Sequence, residues 1–162
     1  MQQLNSYSCS EWVAGKGRGV ILASAIDGRA VAEISSAGLD FKAMTEYARN
    51  LGGAGLRALT FHQRAVRLKE LALHLMQHKE EFYELSRETG ATRNDSWIDI
   101  EGGIGTLFAY SSKCRREMPN GQLYIDGEPE ALSRNGTFMG QHIYTSLQGV
   151  AVHINAFNFP CW

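Results

Sequence analysis

Apolar positions change their spacing along this chain, and the changes divide it. Between residues 9 and 35 they come in short runs: Trp12-Val13-Ala14, then Val20-Ile21-Leu22, then Val31-Ala32-Glu33-Ile34. Gly15-Lys16-Gly17-Arg18-Gly19 separates the first two and Asp27-Gly28 precedes the third. Short runs bounded by turn residues predict paired strands. Beyond Asp40 the spacing becomes helical. Phe41, Met44, Tyr47 and Ala48 share one face, with Asp40 as expected N-cap and Gly52-Gly53 as expected stop.

Thr60-Phe61-His62-Gln63 has the form of a capping box, and Ala65, Leu68, Leu71, Ala72, Leu75 and Met76 then trace an apolar face. Lys79-Glu80-Glu81 interrupts it, Phe82, Leu85 and Ser86 resume it, and Gly90 is the natural C-cap. Residues 61–89 are therefore one long helix or two joined at a kink. Asn94 or Asp95 is the expected cap of a further helix carrying Trp97, Ile98, Ile100, Ile104, Leu107 and Phe108. Its Gly102, Gly103 and Gly105 each cost about 1 kcal/mol relative to alanine, which predicts close approach of a neighbouring backbone. Pro119-Asn120-Gly121 ends it. Residues 121–136 read as a polar excursion with turns at Asp126-Gly127 and Asn135-Gly136, and strands are expected at 137–146 and 150–154.

With 162 residues the length favours one domain, and 44% hydrophobic with 20% charged residues excludes a disordered, collagen-like or disulfide-scaffold chain. A formal net charge of −1 gives no electrostatic case for nucleic acid or an anionic membrane. No apolar run approaches the ~20 residues that span a bilayer. Neither partner is expected. Met1–Tyr7 lacks the basic and apolar regions of a signal peptide, and Cys9, Cys114 and Cys161 are odd in number with no CxxC pair. A reduced, cytoplasmic chain is the expectation.

Most candidate chemistry reduces to ordinary structure. The Gly15/Gly17/Gly19 triplet has neither the spacing nor the strand-to-helix setting of a dinucleotide fingerprint. His74 and His78 lie one helical turn apart, but Leu75 stands where a zincin has glutamate, and no third ligand follows. Glu101 is a lone carboxylate without a partner and reads as a solvated helix residue, and His153 has no identifiable Ser or Cys nucleophile. Cys161 has nothing nearby to lower its pKa and reads as a packing residue.

The end of the chain is more informative. Gly149-Val150-Ala151-Val152-His153-Ile154 runs into Asn155-Ala156-Phe157-Asn158-Phe159-Pro160. In α/β folds ligands gather at the carboxyl ends of strands, where a held amide can donate to a developing oxyanion. Asn158 followed by Phe159-Pro160 is equally a helix cap or turn signal.

This segment resembles the strand-and-loop signature with which the aldehyde dehydrogenase superfamily enters its dinucleotide-binding domain. Trp12…Gly15, Asp27-Gly28…Val31-Ala32-Glu33 and Arg64…Glu88-Thr89-Gly90 are similar to the family's N-terminal strands and helices, in the same order. Within the family, Thr89–Arg93, Asp95–Trp97, Ile100–Phe108 and Val150–Trp162 most resemble the bifunctional members of phenylacetate degradation. The resemblance implies an incomplete α/β fold of the aldehyde-dehydrogenase type. It comprises an N-terminal strand and helical part (1–136), an association-type strand (137–148) and the start of a Rossmann-like dinucleotide-binding domain (149–162). It implies NADP (or NAD) as cofactor, a CoA-linked semialdehyde as substrate, aromatic degradation as setting and a homo-oligomer.

Carried over by residue, Asn158 matches the oxyanion-stabilising asparagine, and Ile154, Asn155, Ala156 and Phe157 match the loop along the cofactor. Ala156 departs from the family's usual proline. None of Cys9, Cys114 or Cys161 matches the nucleophile, and the resemblance puts that cysteine and the water-activating glutamate beyond Trp162. The alternatives are a semialdehyde dehydrogenase of the epoxybenzoyl-CoA route and a non-catalytic association fragment.

Overall fold

A computed structural model describes residues 2–162. Residues 2–34 contribute the strands of two small sheets. Strand β1 (Gln2–Leu4) runs parallel to β5 (Ala30–Ile34), and β5 pairs antiparallel with β4 (Val20–Ala23), giving the order β1-β5-β4. Strands β2 (Ser6–Ser8) and β3 (Glu11–Val13) form a separate hairpin in which Tyr7 and Trp12 meet edge to face at 5.1 Å. The chain turns between them at Cys9 and Ser10, both with positive φ. β1 and β2 lie ahead of the predicted strands, because three-residue polar strands carry too little alternation to be read. The glycine triplet takes a structural role. A Cβ on Gly15 would stand 2.0 Å from the Ser35 carbonyl oxygen and one on Gly19 2.3 Å from that of Ile34, so the backbone passes the C-terminal end of β5 at contact distance.

Helix α1 (Phe41–Tyr47) is capped by Asp40, whose carboxylate accepts from the Ala43 N–H at 2.9 Å. Gly52-Gly53 does not stop it. A π turn at Ala48–Gly52 leads directly into α2 (Gly53–Arg57). Gly52 and Gly53 keep right-handed φ values of −61° and −63°, and glycine ends a helix only where φ turns positive. The predicted box at Thr60 opens α3 (Phe61–Gln77): Thr60 Oγ1 accepts from Gln63 N–H at 3.2 Å, and Gln63 Oε1 from Thr60 N–H at 2.9 Å. A break at His78 separates α3 from α4 (Lys79–Arg87), resolving 61–89 into two helices, and Gly90 follows with φ +81°. Helix α5 (Arg93–Trp97) is capped by Thr92 rather than Asn94 or Asp95. Asp95 is the reciprocating member of this second box, its carboxylate accepting from the Thr92 N–H. A second π turn, Ile98–Gly102, joins α5 to α6 (Gly103–Glu117).

Helices α3, α4 and α6 enclose a core of Ala72, Tyr83, Ile100 and Ile104, flanked by Leu75, Met76, Phe82, Leu107 and Phe108. Leu71 and Leu85, predicted to face inward, are exposed, and Tyr83 is buried instead. The break at His78 re-phases α4 relative to α3. Ser111 Oγ donates to the Ala65 carbonyl at 2.6 Å where α3 and α6 touch through small buried residues.

The expected polar excursion contains a strand. Residues β6 (Tyr124–Ala131) pair antiparallel with β7 (Met139–Tyr144), with a register break between Asp126 and Glu130. The expected turn at Asn135-Gly136 joins them, Gly136 having φ +64°. The division drawn at 136 falls in this turn. Residues 150–154 form no strand, and no strand among the described residues lies beside them; Val152 and Ile154 are exposed. An extended segment without a neighbour has no ladder to join. The overall class remains mixed α/β.

Candidate functional site

The loop 154–160 is organised by its own backbone. Phe159 N–H donates to the Ala156 carbonyl at 3.2 Å, making a tight turn with Phe157 and Asn158 at its tip. Asn155 Nδ2 donates to the Pro160 carbonyl at 2.8 Å and closes the loop from inside. Asn158 and Phe157 are exposed, the latter at 93%. No helix follows Asn158 among the described residues.

Ile154, Asn155 and Ala156 line an open groove of about 520 Å³ with Phe159, Ile98 and Trp162. Phe157 and Asn158 are not on its wall. The groove is apolar apart from one amide, and no Lys or Arg lines it. Such a lining can take a flat ring by apolar contact, and it carries no cation for a dinucleotide's phosphates.

Beyond Pro160 the chain is held by α6's approach turn. Asp99 accepts from the Cys161 N–H at 3.1 and 3.2 Å through its two oxygens, and from the Trp162 N–H at 2.8 Å. Asp99 is 2% exposed. The Trp162 side chain lies on Gly102 and its backbone on Gly103: a Cβ there would meet Trp162 at 2.6 and 2.9 Å respectively. The close backbone approach predicted from the helix glycines is present at Gly103, whereas Gly102 meets the Trp162 side chain. Gly105 faces open space. Asp99 was not singled out by its sequence; its signal is an acid flanked by Ile98 and Ile100.

The other candidates are placed apart from this loop. His74 and His78 have ring centroids 4.8 Å apart, and His78 Nδ1 contacts Glu81 Oε1 at 2.7 Å. No group of three or more His, Cys, Asp or Glu placed to hold a metal ion occurs among the described residues. Glu101 has partners after all: Tyr83 OH donates at 2.9 Å and Lys79 Nζ at 3.2 Å, and these hydrogen bonds hold its carboxyl below the usual range. His153 lies in the unpaired 150–154 segment. Desolvation, then the Asp99 carboxylate, pushes the Cys161 thiol up to about 11, the opposite of an activated nucleophile.

These features meet in one family. The aldehyde dehydrogenase family model matches residues 12–162, and the chain belongs to that family. A relative is the 3,4-dehydroadipyl-CoA semialdehyde dehydrogenase of Aromatoleum evansii, 38% identical over 161 residues. The alignment covers 99% of this chain and 31% of that protein, so the chain spans about a third of the relative's length. No helix among the described residues is long and apolar enough to cross a membrane.

Proposed function

We propose that this chain is the N-terminal part of an NAD(P)-dependent aldehyde dehydrogenase that oxidises a CoA-linked semialdehyde to the acid during aromatic degradation. The observation that carries the substrate class is the 38% identity, over nearly the whole chain, to a dehydrogenase whose name specifies a CoA-linked semialdehyde. That similarity suits the phenylacetate and the epoxybenzoyl-CoA routes equally, since both present an aldehyde on a CoA thioester.

In this reading Asn158 donates its side-chain N–H to the oxyanion formed when the aldehyde is attacked. Its place at a turn tip closed by Asn155 supports that role, because a donor contributes most when its orientation is fixed beforehand. Ile154, Asn155, Ala156 and Phe157 lie along the cofactor, three of them lining the groove beside Trp162. NADP or NAD, when bound, supplies the hydride acceptor. The hairpin of β6 and β7 contributes to subunit association: Ile125, Ile143 and Tyr144 are exposed on it.

The test is Asn158→Ala in the full-length dehydrogenase that carries this chain, assayed with both candidate CoA-linked semialdehydes. Turnover should fall by about 10²–10³, the cost of losing one oxyanion donor. An unchanged kcat on either substrate would overturn the assignment.

A further inference from the structure

A carboxylate removed from water is costly unless its lone pairs are used. Both Asp99 oxygens are used and, among the described residues, only by main-chain N–H groups of the two residues that follow Pro160. Hydrogen bonds to an ionised acceptor are about twice as strong as neutral ones, so this contact outweighs the neutral bonds inside the loop. It is also paired with a fitted surface. Gly102 and Gly103 lie three and four positions after Asp99, on the same side of the helix, and are the two glycines that Trp162 covers. The π turn at Ile98–Gly102 gathers these groups on one side, and such turns recur at functional sites.

We propose that Asp99, with the floor of Gly102 and Gly103, is the positioning device of the 154–160 loop. It fixes the loop's C-terminal end as Asn155 closes its inside, so that Asn158 is presented in one orientation. The catalytic half of this inference rests on the oxyanion reading of Asn158; the anchoring half stands without it. Asp99 does not touch the reacting atoms and acts through the backbone of Cys161 and Trp162.

Two measurements separate the halves. In the 162-residue chain, amide hydrogen exchange of Cys161 and Trp162 is followed by NMR. Asp99→Asn should lower their protection by about tenfold or more, as loss of a charged acceptor does. Gly103→Ala, which keeps the carboxylate and favours helix, should also release Trp162, whereas Gly105→Ala should change nothing. In the full-length dehydrogenase, Asp99→Asn and Gly103→Ala should lower kcat by up to about 10²-fold, the penalty for misplacing a group by ~1 Å. KM for the aldehyde should stay within about twofold, since uniform binding is untouched. Unchanged protection in both variants overturns the anchor. Lost protection with kcat intact overturns the positioning role. If Asn158→Ala leaves kcat unchanged, the oxyanion reading and the catalytic half fall together, and the exchange result still decides the anchor.

Discussion

Tyr83 sits at the centre of the polar contacts that tie α4 to the second π turn. Its hydroxyl donates to Glu101, and the Arg93 guanidinium lies 3.5 Å from its ring centroid. The Tyr83 and Lys79 hydrogen bonds lower the Glu101 pKa, so its stabilisation is complete above the unfolded carboxyl pKa of about 4.3 and is lost as pH falls through the folded value. Glu101→Gln should therefore lower Tm near neutrality, and the gap from the native chain should close as pH drops below about 4; a gap constant down to the acid limit would contradict this. Nearby, Ser86 and Ser96 share a buried hydrogen bond of 2.8 Å. Ser96→Ala should cost about 1–3 kcal/mol by stranding the Ser86 hydroxyl, while the double alanine variant should cost less than the sum of the singles. Urea melts of the four chains give the cycle directly, and simple additivity would mean the pair is not coupled. Asp99 was illegible for a physical reason. The groups it serves, the N–H of Cys161 and Trp162, lie more than sixty residues along the chain, so no local pattern reports them.

At the scale of elements, what could be read depended on how local the signal is. The Thr60 box was legible because all its partners lie within four residues. The Thr92 box uses the same geometry, but Asp95 stands where Glu or Gln is usual, and the cap was assigned two or three residues late. Strand β6 was not legible at all, because its pairing with β7 is non-local: Tyr124 meets Tyr144, with rings 5.9 Å apart, across the Asn135-Gly136 turn. Periodicity inside a polar stretch does not report such pairs. Thr60 also donates to Asn120 Oδ1 at 2.7 Å, joining the start of α3 to the segment after α6. Thr60→Ala should therefore cost about 1–2 kcal/mol, the upper range for a lost N-cap. Thr60→Ser, which keeps the hydroxyl, should recover most of it. Denaturant midpoints of the two variants check this, and equal midpoints would show that the hydroxyl contributes nothing.

Across the whole molecule, burial and chemistry are unevenly spread. The helical layer owns the core, while β4 leaves Val20, Ile21 and Leu22 exposed and residues 150–154 lie without a sheet. The family's strand-and-loop signature at 149–160 was legible because it is a run of residue types; its strand is absent here because a strand exists only through its neighbours. The same contrast governs activity. Aldehyde oxidation in our reading needs a thiolate, and each of the three thiols is unsuited. Cys9 is an exposed turn residue of positive φ, and Cys114 Sγ donates to the Phe61 carbonyl at 3.3 Å. A thiol at about 11 is ionised to roughly one part in 10⁴ at pH 7, which leaves Cys161 almost wholly protonated beside the Asp99 carboxylate. The 162-residue chain, purified and given an aldehyde with NADP or NAD, should therefore produce no reduced nucleotide above background between pH 6 and 9. Cys161→Ser should make no difference to that result. Turnover that disappears in Cys161→Ser would show that the carboxylate neighbour does not silence the thiol, and would place the reacting centre at Cys161.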